Sequence, residues 1–250
     1  MTHAKKIYFA SDLHLGVPDH TSSLVREKKF VSWLDMIKGD AEELHLVGDV
    51  FDFWFEYKKA VPRGFVRILG KLAELADSGI PIFWYLGNHD MWIFDYIPHE
   101  LGVTMLDGEV RRMYAGKKFY IAHGDGLGPG DGGYKFLKKV FRSKVCQWLF
   151  ARLHPNFGIG LADMFSRRSR SIEADKDAIF LGEEKEWLVI HSKEIMQKEE
   201  VDFFIYGHRH YPLDLDLGKG VRCLNLGDWI SHFTYAVFDG EQLELKTFKG

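Results

Sequence analysis

Five short apolar runs, each ending in a polar packet, set the frame of this 250-residue chain: Ile7-Tyr8-Phe9-Ala10, Leu44-His45-Leu46-Val47, Pro81-Ile82-Phe83-Trp84-Tyr85-Leu86, Phe119-Tyr120-Ile121-Ala122 and Phe203-Phe204-Ile205-Tyr206. Runs of this length without alternation predict strands buried on both faces. Helical periodicity fills the intervals and predicts helices over 23–38 and 64–78. In the second, Val66, Leu69, Leu72, Ala73 and Leu75 share a stripe that stops at Ser78-Gly79, with Pro81 beyond. Further strands are predicted near 109–113 and 117–122, linked by the turn Tyr114-Ala115-Gly116. Others fall near 221–225, 233–238 and 242–248, the last two joined by the hairpin signal Asp239-Gly240. A helical stretch after Tyr134 and a charged helix near 180–199 complete the pattern. It predicts an α/β fold of two sheets packed face to face and flanked by helices. The expected organisation is one domain over 1–250 with a helical insertion at about 130–178, without repeats, low-complexity segments or linkers.

The polar packets carry the chemistry. They read Asp12-Leu13-His14, Gly48-Asp49-Val50-Phe51-Asp52, Gly87-Asn88-His89-Asp90, His123-Gly124-Asp125 and Gly207-His208-Arg209-His210. Each follows a predicted strand at once, and active sites of α/β folds form where loops leave the carboxyl ends of strands. Gly48, Gly87 and Gly207 are expected to permit tight turns there. The set mixes imidazole, carboxylate and one amide oxygen without thiolate, which suits Mn²⁺, Fe²⁺ or Zn²⁺ and argues against a structural zinc or iron–sulfur site. In this order the packets predict a two-ion hydrolase centre. Asp49, central in the order, is the expected bridge between ions about 3.5–4 Å apart that activate water and neutralise phosphoryl charge.

The succession D-x-H, G-D-x-x-D, G-N-H-D, H-G-D, G-H-x-H resembles the calcineurin-like metallophosphoesterase family over residues 12 to 210. The resemblance implies a four-layer sandwich of two mixed sheets flanked by helices, with a helical cap insertion. It implies that Asp12, His14, Asp49 and His210 hold one ion, and that Asp49, Asn88, His123 and His208 hold the other. His89 then stands beside the scissile phosphate as transition-state donor or leaving-group acid, with Asp52 fixing its ring. Within the family, S-D-L-H-L at 11–15 and the run from His123 through Asp131 to Lys135 resemble the UDP-2,3-diacylglucosamine hydrolases of lipid A biosynthesis. That likeness implies an acylated UDP-sugar substrate cleaved to UMP and the acylated glucosamine 1-phosphate. Asn88, His89, Asp131, Ser169, Lys176 and His208 are the substrate contacts it implies. Two positions depart from this branch: His89 replaces its usual Arg, and Glu173 its usual Asn.

Charge separates the inserted segment from the rest. Residues 134 to 172 hold nine Lys or Arg against Asp163 alone, in a chain of net charge −3. The same segment contains Phe136, Leu137, Val140, Phe141, Val145, Trp148, Leu149, Phe150 and Leu153. Val140/Phe141, Lys144/Val145 and Trp148/Leu149 recur at i, i+4, i+8, as on one helix face. Cationic residues around a broad apolar face predict either a cap for an anionic acylated ligand with peripheral contact to an anionic membrane surface, or a core-packed helix with a solvated basic side. Bulky aliphatics in place of interleaved stacking aromatics and Gly speak against nucleic acid, and no obligate protein partner is signalled.

Two distant cysteines, Cys146 and Cys223, fit reduced thiols better than a disulfide framework. The opening Met1 to Lys6 runs straight into the first strand, so no signal peptide is expected, and no run approaches the ~20 apolar residues of a membrane span. The expected place is the cytoplasm, peripheral on the inner membrane. A phosphoesterase acting on a soluble ester and a noncatalytic metal-binding membrane adaptor are the rival readings.

Overall fold

The computed structural model describes residues 5–128, 132–162, 164, 166 and 180–250. Eleven strands are β1 (Lys6–Ala10), β2 (Ala41–Leu46), β3 (Ile82–Tyr85), β4 (Thr104–Leu106), β5 (Val110–Tyr114), β6 (Lys117–Ala122), β7 (Phe203–Tyr206), β8 (Pro212–Asp216), β9 (Arg222–Leu226), β10 (Thr234–Phe238) and β11 (Leu243–Thr247). They form a six-stranded sheet in the order β11-β10-β1-β2-β3-β4 and a five-stranded sheet in the order β5-β6-β7-β9-β8. Strands β1 to β4 run parallel in the first sheet, ending at the β4 edge, as do β6, β7 and β9 in the second; antiparallel strands β10 and β11 extend the other side of the first sheet, and β5 and β8 flank the second.

Side-chain alternation then builds four layers. Ile7 and Phe9 of β1 enter the core between the sheets with Phe119, Ile121, Phe203, Ile205 and Phe238. Tyr8 and Ala10 point the other way, onto α1 (His20–Ile37), α2 (Val66–Asp77) and α3 (Tyr96–Leu101). On the outer face of the second sheet, Tyr120, Phe204 and Tyr206 pack against Leu188 and Val189 of α6 (Trp187–Ile195). Burial on both faces explains the unbroken apolar runs, each large side chain contributing about 1.5–3 kcal/mol.

Several element boundaries differ from the sequence expectation for local reasons. Helix α1 begins at His20, not 23, because Asp19 Oδ1 accepts from the Thr21 and Ser22 N–H groups at 2.8 and 3.1 Å. Helix α6 is nine residues, not twenty; Gly182, at φ +89°, sits in a turn that precedes it. The β5–β6 hairpin turns at Ala115 and Gly116 with both φ positive, the geometry that matches strand twist. Helix α3 and strands β4 and β8 were not anticipated. The N-terminal N–H groups of α3 are satisfied from outside its own sequence: Glu56 accepts from Phe94, Asp95 and Tyr96 at 2.8, 2.7 and 3.0 Å.

The segment expected to be inserted opens with α4 (Gly132–Arg142) and α5 (Lys144–Phe150), followed by a helical run over 155–162. The chain breaks helix at Ser143, so the i, i+4, i+8 stripe is divided between two helices. Polar bonds seat α4 on the core. Arg142 grips Asp107 through Nη1 and Nη2 at 2.8 and 2.7 Å, and the Phe141 carbonyl accepts from Trp92 Nε1 at 2.8 Å. Eight of the fourteen exposed large apolar side chains among the described residues lie between Phe136 and Met164, led by Phe136 at 69% exposure. An apolar surface gathered in one place marks an interaction face.

Candidate metal centre

All five packets converge at the carboxyl ends of β1, β2, β3, β6 and β7, and the backbone there is strained. Asp12, His14, Asp49 and His208 account for four of the eight non-glycine residues with positive φ among the described residues, at 55°, 43°, 54° and 66°. Such conformations cost about 1–3 kcal/mol each and persist where the surroundings hold them. Here Asp12 N–H donates to Gly48 O at 3.1 Å, His14 N–H to Asp49 O at 2.9 Å, and buried Arg26 Nη1 to the carbonyls of Leu13 and His14 at 3.0 and 2.7 Å. Of Gly48, Gly87 and Gly207, only Gly48 has positive φ. Gly87 is required for space: a Cβ there would stand 2.6 Å from Asp49 N and closer still to its carboxylate.

Two sets of donor atoms result. In the first, His14 Nε2 and His210 Nε2 are 3.1 Å apart, and each is 3.7 Å from Asp12 Oδ1. In the second, His123 Nε2 lies 3.2 Å from Asp49 Oδ2 and 3.1 Å from Asn88 Oδ1, which is 3.0 Å from His208 Nδ1. Asp49 Oδ2 also stands 3.7 Å from His14 Nε2, so one carboxylate oxygen faces both sets. Donors about 2.0–2.2 Å from a single ion are separated from one another by about 3–3.6 Å, so these spacings fit divalent cations. Asp12 Oδ1 is buried without a hydrogen-bond partner among the described residues, and an orphaned buried acceptor costs about 1–3 kcal/mol unless a cation or proton meets it.

Electrostatics agree. Burial disfavours charge on His14, yet the neighbouring Asp12 and Asp52 carboxylates, with Asp49, outweigh it and push the imidazole up to about 10. Burial likewise opposes a charged His123, but the Asp49 carboxylate carries it up to about 10. Asp49 itself is held well below the usual carboxylate range, since His123 and His89 overcome its burial. Burial and neighbouring His123 bring His208 down to about 4, keeping it a neutral donor. A centre that draws protons onto two buried imidazoles is one that favours cations.

Supporting contacts orient the donors. His123 Nδ1 lies 2.8 Å from the Val47 carbonyl, which places the hydrogen there and leaves Nε2 as the ligand atom. Asp49 Oδ1 accepts from His89 N–H at 2.9 Å, and Asp12 Oδ2 from His208 N–H at 2.9 Å. Asp90 latches the third packet: its carboxylate accepts from Gly87 N–H, Val50 N–H and Trp84 Nε1 at 2.9, 3.0 and 3.3 Å. Burial and Asp49 push that carboxyl up to about 6.

His89 Nδ1 bonds to the backbone carbonyl of Asp52 at 2.9 Å, while the Asp52 carboxylate stands closer to His14 Nδ1 (3.3 Å) than to His89 Nδ1 (3.8 Å). Asp131, Ser169, Lys176 and Glu173 lie outside the described residues. Of the aromatics after Asp52, Trp54 and Phe55 are buried. Phe53 joins Asp52 in lining a cavity of about 440 Å³ beside the centre. The glycine-rich loop after His123 meets α4: Asp125 Oδ2 accepts from Tyr134 OH at 2.6 Å, and Gly128 O from Lys135 Nζ at 2.6 Å.

Four contributors had no role assigned from sequence. Arg26 carries no local signal, standing beside Lys28 and Lys29 on α1. Asp228 stands 3.8 Å from His210 Nδ1 and accepts from the N–H groups of Ile230, Ser231 and His232. Asn225, in the same segment, donates to Gly207 O at 2.6 Å. The packet-like spelling N-L-G-D at 225–228 was the available signal for both. The fourth is Ser166, whose Oγ donates to Asp52 Oδ2 at 2.7 Å.

Comparison with known proteins matches this geometry to a family. The description "Calcineurin-like phosphoesterase" fits residues 5–212. The UDP-2,3-diacylglucosamine hydrolase of Porphyromonas gingivalis is 39% identical over 256 residues, covering 98% of each chain. The enzyme of the same name from Histophilus somni is 28% identical across 90% of this chain and 92% of its own. That of Shewanella halifaxensis is 27% identical across 95% of each. The chain belongs to the calcineurin-like phosphoesterase family and is a metal-dependent hydrolase of phosphoric esters or anhydrides.

Proposed function

We propose that this enzyme hydrolyses the pyrophosphate bond of UDP-2,3-diacylglucosamine, releasing UMP and 2,3-diacylglucosamine 1-phosphate for lipid A biosynthesis. The observation that carries the reading is the full-length likeness to a hydrolase of that name at 39% identity, joined to two donor sets sharing Asp49 Oδ2. Asp12, His14, Asp49 and His210 hold one divalent ion, and Asp49, Asn88, His123 and His208 the other; Mn²⁺ suits this oxygen and imidazole mixture. Bound ions supply Lewis acidity toward water and the phosphoryl oxygens. His89, its Nδ1 tied to the Asp52 carbonyl, keeps Nε2 for the phosphoryl or leaving oxygen. Asn88 and His208 contribute to substrate contact from the ion side, and Asp131, Ser169 and Lys176 from the cap.

The insertion at about 130–178 belongs to the same domain and covers the acyl chains. Its basic residues and exposed Phe136, Val145, Trp148 and Leu149 support peripheral attachment to the anionic cytoplasmic face of the inner membrane, each cation near the surface adding about 1 kcal/mol. No helix among the described residues is long and apolar enough to cross a membrane.

His89, standing where this branch commonly carries Arg, favours one alternative: hydrolysis of a soluble phosphoester. The two readings separate on interface dependence. For the acylated substrate the rate is expected to rise at least severalfold in mixed detergent micelles. Hydrolysis of bis(p-nitrophenyl) phosphate should not depend on them. A soluble nucleotide ester cleaved faster than the acylated substrate under every detergent condition would favour the alternative.

A further inference from the structure

We infer that Ser166 is a positioning residue through which the cap orients the histidines of the hydrolytic centre. It lies beyond the helical run over 155–162, and its hydroxyl reaches back across 114 residues to donate to Asp52 Oδ2 at 2.7 Å. The other Asp52 oxygen stands 3.3 Å from His14 Nδ1. A carboxylate held at one oxygen cannot swing freely, so Asp52 keeps the His14 ring turned with Nε2 toward Asp12 and Asp49, each at 3.7 Å. The same Ser166 oxygen is 3.3 Å from His89 Nδ1, beside the 2.9 Å bond from that nitrogen to the Asp52 carbonyl. The Nδ1–H of His89 is therefore shared between two acceptors, which fixes the tautomer and leaves Nε2 for substrate.

One hydroxyl from the cap thus steadies two histidines at once. Other cap contacts serve docking: Tyr134 meets Asp125, Arg142 meets Asp107, and the Phe141 carbonyl meets Trp92. None of these three pairs includes Asp52 or His89. Ser166 thus links the segment that carries it to the orientation of His14 and His89.

The inference rests on phosphoesterase chemistry at this centre and not on the acylated substrate. Its test uses bis(p-nitrophenyl) phosphate, which carries neither uridine nor acyl chain, so its failure is distinct from failure to release UMP. At saturating Mn²⁺, Ser166→Ala is expected to lower kcat about tenfold, with KM changed by less than about twofold. Ser166→Thr, which keeps the hydroxyl, is expected to retain most of the rate. Equilibrium dialysis with Mn²⁺ provides a readout independent of turnover, the alanine variant binding more weakly and the threonine variant normally. A loss of kcat or of Mn²⁺ affinity that threonine restores sustains the assignment. Unchanged kcat and affinity, a loss confined to KM, or a loss that threonine does not restore overturns it.

Discussion

Replacing Asp49 by asparagine is expected to lower turnover by at least about 10³-fold, and to reduce the bound Mn²⁺ from two ions per chain toward one. The carboxylate has two tasks. Its Oδ2 faces His14 on one side and His123 on the other, at 3.7 and 3.2 Å, while its Oδ1 accepts from His89 N–H at 2.9 Å. An amide oxygen can keep the second bond. It cannot supply the negative charge that two adjacent cations require between them. Activity on bis(p-nitrophenyl) phosphate, with metal content by elemental analysis of the same preparation, reads both effects. An Asp49→Asn protein with normal activity and two ions would remove Asp49 from the centre.

His89→Ala is expected to behave differently: turnover falls about 10²–10⁴-fold while both ions stay. His89 lies close enough to His14 and Asp49 to be grouped with them as a possible ligand. Its Nδ1, however, is engaged by Asp52 O, and the donor sets around Asp12 and around Asn88 are complete without it. Metal content separates the roles. Loss of an ion in His89→Ala would make the residue a ligand, and undiminished kcat would deny it any part in the chemistry.

The reason so much of the centre was legible is geometric. A strand buried on both faces is spelled as an unbroken apolar run, and the residue that leaves its carboxyl end is the one that reaches the site. Asp12, Asp49, Asn88, His123 and His208 could therefore be placed together without knowing how the sheets pack. What stayed hidden depends on contacts across the chain. Glu56 starts α3 from forty residues away, and Asp90 closes its packet by reaching Val50 and Trp84. Ser166 belongs to a stretch whose composition spoke only of charge and apolar surface. The glycines were legible in position but not in cause: Gly87 is small because a carboxylate passes beside it, a fact of tertiary packing. Strand β8 was spelled openly, with Leu213 and Leu215 alternating with Asp214 and Asp216, and was overlooked beside the stronger packet before it.

Hydrolysis of UDP-2,3-diacylglucosamine in ¹⁸O-labelled water, with Mn²⁺ and detergent, tests the central claim most directly. The expected result is UMP bearing the label, unlabelled 2,3-diacylglucosamine 1-phosphate, and arrest of both on chelation, as attack at the uridine-side phosphorus requires. No UMP, with bis(p-nitrophenyl) phosphate still cleaved by the same preparation, would leave a phosphoesterase centre and contradict its assignment to the acylated nucleotide sugar.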